Sequence, residues 1–177
     1  MFFEEARIKG IWIITPSVFP DERGYFMESY LKESFTRHIG PLDFVQENES
    51  MSRFGVTRGL HYQEDPHAQS KYIRVVEGEI FDVAVDIRRA SPTRGEAFCL
   101  TLSAENKKQL FIPKGFAHGF CVLSPRAVVQ YKTDVCYHPE CEGVFHVDSP
   151  ALAIPWPLSA GEMILSEKDK RADPFRL

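Results

Sequence analysis

The chain has no long apolar run, no basic surplus and few cysteines, and each shortage removes a class of function. No stretch approaches the roughly 20 apolar residues needed to cross a bilayer as a helix, so no membrane span is expected. Met1–Arg7 places two acids early and carries no apolar segment, which argues against a signal peptide. The 21 Lys and Arg against 25 Asp and Glu leave a net charge of -4. A surface that tracks nucleic-acid phosphates normally shows a basic excess, so nucleic acid is not expected as the partner. A small anionic ligand stays open, because it needs only a local Arg/Lys cluster. The 4 cysteines of 177 residues read as free thiols in a cytoplasmic protein. Cys136-Tyr137-His138-Pro139-Glu140-Cys141 has the look of half a zinc site, but the sequence offers no second half, and no metal is expected. Linkers, repeats and low-complexity segments are absent as well, so residues 1–177 read as one domain with room for a core.

What is present is mostly β. Apolar or alternating runs occur at Gly10–Thr15, Tyr25–Tyr30, Phe44–Ser50, Tyr72–Val76, Glu79–Ile87, Ala97–Leu102, Gln109–Ile112, Gly119–Leu123 and Val128–Thr133. Turn residues separate them at Pro20–Gly24, Glu77-Gly78, Ser91–Gly95 and Pro113–Gly115. Many short strands at regular spacing predict an all-β sandwich or barrel. Leu31–Ile39 is the best early helix, and a second short one is expected after Ser166.

The chemistry concentrates in Arg58-Gly59-Leu60-His61-Tyr62-Gln63, Gln69-Ser70-Lys71 and Tyr131-Lys132. A histidine suits general-base work near neutral pH. Alone, His61 would pass for a surface or metal-bound histidine, but its neighbourhood of Arg58, Gln63, Gln69 and Lys71 is too polar for an ordinary strand pair. If Ile73 and Val75 face the interior, the period of two turns Lys71 inward with them. A buried ammonium is costly unless paired or used, and its natural use is to stabilise an oxyanion as charge develops. Val129 and Tyr131 share a face, and a buried phenol is more often core than catalyst. Arg23 and Arg58 have the guanidinium fork that clamps a diphosphate, or are simply solvated. Asp169 would orient His61 from behind, but Ser166-x-x-Asp169 is also a helix-capping pattern.

Pro113-Lys114-Gly115-Phe116-Ala117-His118 resembles the second motif of cupin barrels. Metal-dependent cupins add a His-x-His pair and a Glu, and this chain has Gln63 and Lys71 at those places. A cation in place of an anionic ligand opposes metal binding.

Taken in order, Phe19–Phe26, Phe44–Ser50, Arg58–Gln63, Asp82–Arg88, Ser91–Thr93, Ile112–Phe120, Tyr131–Asp134 and Leu165–Asp169 resemble the dTDP-4-dehydrorhamnose 3,5-epimerase family over nearly the whole chain. The resemblance implies a cupin-type jelly roll with a few short peripheral helices and an enzyme that needs no cofactor. It also implies a homodimer with exchanged N-terminal strands, and dTDP-4-keto-6-deoxyglucose as the substrate. By the same resemblance His61 is the base, Lys71 stabilises the enolate at O4, Tyr131 delivers a proton from the opposite face, and Asp169 orients His61. Arg23, Phe26, Glu28, Gln46, Asn48, Arg58, His118, Glu142 and Lys168 fall on positions that hold the sugar nucleotide. Tyr137 matches the residue that stacks on thymine, and Asp82 is a further pocket partner with less support.

Two positions depart from the pattern. Tyr72 stands where a smaller aliphatic residue is expected, and His138 lies close to the base-stacking position. Three alternatives remain beside the double epimerase. They are a mono-epimerase of C3 or C5, a metal-dependent cupin oxygenase using His61, His67 and His118, and a sugar-nucleotide-binding module without activity.

Overall fold

The computed structural model describes residues 1–177. Four short strands come first, β1 (Phe2–Glu5), β2 (Trp12–Thr15), β3 (Val18–Asp21) and β4 (Gly24–Met27), followed by helix α1 (Lys32–His38). The central strands are β5 (Gln46–Arg53), β6 (Thr57–Gln63), β7 (Lys71–Glu77), β8 (Glu79–Asp86), β9 (Ala97–Ser103), β10 (Gln109–Ile112), β11 (Phe116–Val122) and β12 (Arg126–Thr133). Strand β13 (Glu142–Val144) and helix α2 (Glu167–Lys170) complete the chain.

The strands form two large antiparallel sheets, in the orders β1-β2-β10-β7-β12-β5 and β13-β6-β11-β8-β9, and a separate two-stranded sheet, β3-β4. Neighbours that are distant in sequence give this sandwich its cupin-type jelly-roll winding. Alternation along the strands sorts side chains into three apolar layers. Ile73, Val75, Ile80, Ala84, Leu110, Phe116 and Phe120 belong to the cluster between the sheets. Val83 and Val85 turn the other way and join Leu60, Leu152 and Phe175 under the C-terminal segment. Tyr72 turns away from Ile73 and packs with Phe35, Phe111 and Ile14 beneath α1.

That last placement accounts for the large residue at position 72. Its ring meets Tyr30, Phe35 and Phe44 at 5.6–5.9 Å, and its hydroxyl donates to the Ser29 carbonyl at 3.2 Å. Burial pushes its pKa well up, so the phenol stays protonated. Tyr72 is therefore a packing residue on the face opposite to Lys71.

The expected strands and both helices are present, with ends shifted by a few residues. Strands β1, β3 and β13 carry no apolar alternation of useful length and are additions to the sequence reading. Pro20, expected in a turn, instead sits in β3, whose only partner is β4. Proline is tolerated there because an edge leaves its missing N–H without consequence.

One close approach positions the site. β6 and β11 pair so that His61 lies opposite His118, with a register shift between His118 and Phe120. A Cβ at Gly119 would stand 2.6 Å from the Arg58 carbonyl oxygen and 2.9 Å from Leu60 Cδ2. Gly119→Ala must therefore push β6 away from β11. We expect a loss of roughly 1–3 kcal/mol in urea unfolding, the range for overpacking, together with a fall in turnover because His61 moves. Unchanged stability and turnover would show that this contact does not set the strand spacing.

Candidate active site

The cavity between the two sheets has a volume of about 330 Å³ and is lined by Gln46, Asn48, His61, Tyr62, Gln63, Gln69, Lys71, Tyr131, Tyr137 and Glu142. His61 comes from β6 in the five-stranded sheet, whereas Tyr131 and Lys71 come from β12 and β7 in the six-stranded sheet. The histidine and the tyrosine thus project from opposing walls.

The Nε2 of His61 donates to Asp169 Oδ1 at 2.7 Å. That contact fixes the ring and leaves Nδ1 without a protein partner. Asp169 is held in turn by α2, where its backbone N–H donates to the Ser166 hydroxyl at 3.1 Å. The capping and orienting readings of Ser166-x-x-Asp169 are therefore both met, by different atoms. Burial pushes the Asp169 carboxyl up, but its hydrogen bond and charge interaction with His61 outweigh that effect and hold it below its ordinary value. It stays an anion behind the imidazole.

The ammonium of Lys71 donates to the His61 carbonyl at 3.4 Å. Only part of the side chain reaches solvent, through the cavity, and protein surrounds the rest. Burial lowers its pKa to about 8, against the opposing pull of the Asp82 and Glu142 carboxylates. Tyr131 offers the contrast, since its hydroxyl makes no hydrogen bond within the chain and faces the cavity. Burial raises its pKa, and the nearby Arg58 charge acts against that rise.

Behind this surface His118 Nε2 donates to Asp82 Oδ2 at 2.8 Å. Burial lowers the His118 pKa although Asp82 opposes it. The second oxygen of Asp82 is buried without a partner. At the mouth the Tyr137 hydroxyl donates to Glu142 Oε2 at 2.7 Å, and Lys168 pairs with the same carboxylate. Gln46 accepts from the Tyr137 backbone N–H at 2.9 Å and donates to Asn48 Oδ1 at 2.9 Å.

A family model described as dTDP-4-dehydrorhamnose 3,5-epimerase matches residues 5–176. A curated protein of that name from Methanothermobacter thermautotrophicus is 47% identical over 98% of this chain and 94% of its own. Its Escherichia coli K12 counterpart is 48% identical over 94% of this chain and 90% of its own. The chain belongs to the dTDP-4-dehydrorhamnose 3,5-epimerase family. Among solved members, the epimerase RmlC from Legionella pneumophila, in complex with dTDP-4-keto-L-rhamnose, superposes with a TM-score of 0.94. It is 47% identical and covers 98% of this chain and 92% of its own.

The fold brings His61, Lys71, Tyr131, Gln46, Asn48, Tyr137 and Glu142 together around the cavity, with Asp169 bonded to His61. It places His118 and Asp82 one layer behind the cavity. Lys168 contributes through Glu142 and not as a free cation, and Arg58 points from β6 to Ser52 Oγ at 3.1 Å. Arg23, Phe26 and Glu28 do not reach this cavity. They lie on or just after the β3–β4 hairpin, where Arg23 pairs with Asp21 and Phe26 is 69% exposed. The lining residues missing from the predicted set are Tyr62, Gln63 and Gln69. The two glutamines were detectable as polar neighbours of His61 and Lys71, and Tyr62 had no such signal.

The buried ammonium has a cost that can be measured. The folded pKa of Lys71, about 8, lies below its ordinary value of 10.5. At about 1.36 kcal/mol per unit, holding the cation costs on the order of 3 kcal/mol. Because the folded value is the lower one, this cost is fully present below pH 8 and fades as pH rises toward 10.5. Lys71→Met should therefore raise stability at pH 7 by roughly 1–3 kcal/mol and much less at pH 10. Urea unfolding at the two pH values checks this, and destabilisation at pH 7 would contradict it.

Proposed function

We propose that the chain epimerises both C3 and C5 of dTDP-4-dehydro-6-deoxy-D-glucose to give dTDP-4-dehydro-L-rhamnose. The observation that carries this reading is an oriented imidazole and an unpartnered phenol on opposing walls of one cavity, with an ammonium beside the imidazole. Both substrate carbons lie α to the C4 ketone, so one base serves both. His61 Nδ1 takes the proton from carbon, the C–H electrons move into the C–C bond, and the carbonyl electrons settle on O4. The Lys71 ammonium, in a site shielded from bulk water, stabilises that enolate oxygen. Tyr131 then donates its phenolic proton to the other face of the carbon, and both side chains recover their starting protonation by exchange with water. Asp169 holds the imidazole through Nε2 and stabilises the imidazolium that forms.

A cavity of 330 Å³ suits the sugar ring, at the lower end of ligand sites. The nucleotide then runs out along the rim, where Tyr137 presents a half-exposed ring for the thymine and Gln46, Asn48 and Arg58 offer polar contacts. His118, Asp82 and Lys168 support this surface from behind and from the side. His61→Asn should lower the rate of dTDP-rhamnose formation, measured with a coupled 4-keto reductase, by roughly 10²–10⁴-fold. Turnover near the wild-type rate would remove His61 from the reaction.

The enzyme acts as a homodimer in this reading, with Arg23, Phe26 and Glu28 completing the partner's site. Support comes from a hairpin that pairs with no other strand and exposes Phe19 and Phe26 by 61% and 69%. Strand β1 pairs with β2 of its own chain, so the β3–β4 hairpin is the segment that crosses. Light scattering should give twice the chain mass, and Phe26→Ala should raise KM with little change in kcat. A fully active monomer would contradict the exchange. The four thiols are free, which suits a reducing cytoplasm.

A further inference from the structure

The half zinc site in Cys136–Cys141 finds a complement in space. The β6–β7 loop brings His67 against this segment, and the ligand atoms of His67, Glu140 and Cys141 all lie within 4.8 Å of one another. We propose that these three side chains form a binding site for a zinc-class divalent cation at the rim of the catalytic cavity.

The backbone holds the two loops in place before any ion arrives. The Glu64 N–H donates to the Cys141 carbonyl at 2.9 Å, the His67 N–H to the Glu64 carbonyl at 2.9 Å, and the Cys141 N–H to the His138 carbonyl at 3.0 Å. Metal bonds of roughly 2.0–2.3 Å in a tetrahedron set ligand atoms about 3.3–3.8 Å apart. The side chains therefore need to close by about an ångström, which rotamer adjustment supplies at a partly exposed site. His138 serves as an outer support. Its Nδ1 lies 2.9 Å from Glu140 Oε1, and its ring stacks on that of His67 with centroids 3.5 Å apart.

The donor set selects the class of ion. One imidazole, one thiolate and one carboxylate suit zinc and its neighbours, with a water in the fourth position, whereas magnesium and calcium require oxygen donors throughout. This is not the metal position of metal-dependent cupins. His61 and His118 are both engaged by carboxylates, and neither belongs to the cluster.

The site communicates with the cavity through Gln63. Its amide donates to the His67 carbonyl at 2.6 Å and to the Cys136 carbonyl at 3.3 Å, and its oxygen accepts from the His138 N–H at 2.6 Å. The clamped segment also carries Tyr137 and Glu142 at the mouth. An ion here would lie against that wall of the cavity mouth.

The test is titration of the chelator-treated full chain with Co²⁺, followed by Zn²⁺. One Co²⁺ per chain should bind with a thiolate-to-cobalt charge-transfer absorption that Zn²⁺ abolishes. Cys141→Ser should lose this absorption, and His67→Asn should weaken binding by more than roughly 10-fold. Cys136→Ser should leave both intact. The proposal is overturned if the wild-type chain shows no such absorption. It is also overturned if folded Cys141→Ser and His67→Asn bind as the wild type does, or if Cys136→Ser removes the absorption.

Discussion

The contact on which the rest depends is the hydrogen bond between His61 and Asp169, made across 108 positions of sequence. It ties a central strand of the sandwich to a four-residue helix near the C-terminus. Without it the imidazole would rotate freely, and neither ring nitrogen would be assigned to the cavity. The C-terminal segment is positioned for this purpose by apolar packing. Phe175 and Leu152 cover Leu60, Val83 and Val85 on the outer face of the same sheet. That layer delivers Asp169 to the back of β6 as a nearly inaccessible carboxylate, 2% exposed.

The second constraint is electrostatic. A β sandwich gains its stability by filling the space between its sheets with apolar side chains, yet here the end of that space holds an ammonium, an imidazole and a phenol. The chain accommodates them by separating layers. Ile73 and Val75 continue the apolar interior along the strand that carries Lys71, while Asp82 and Glu142 supply the opposing charge. Asp82 itself is held by His118. The arrangement resists folding more than an apolar one would, and the resistance is concentrated in groups that the proposed reaction uses.

How far the sequence reveals this depends on how local each relation is. The inward direction of Lys71 follows from alternation with Ile73 and Val75, and the same alternation explains why Tyr72 belongs to the aromatic layer under α1. Helix α2 is legible from Ser166. The target of the Asp169 carboxylate is not, because capping and orientation predict the same residues and only the three-dimensional path of the C-terminal segment separates them. The ordered motifs were enough to place the family, but motif order cannot say that Arg23, Phe26 and Glu28 stand on a hairpin remote from their own cavity. The nearness of His67 to Cys141 is equally invisible, since two loops from different strand pairs create it. Strands as short as β1 and β13 carry too little alternation to be recognised and exist because a neighbouring edge receives them.

The central claim is that one base and one acid on opposing walls invert two carbons flanking a single ketone. The most direct measurement is NMR of dTDP-4-keto-6-deoxyglucose incubated with the wild-type chain in heavy water. The proton signals at both C3 and C5 should be lost, with the product carrying deuterium at each. Exchange confined to one carbon, or at neither, would contradict it.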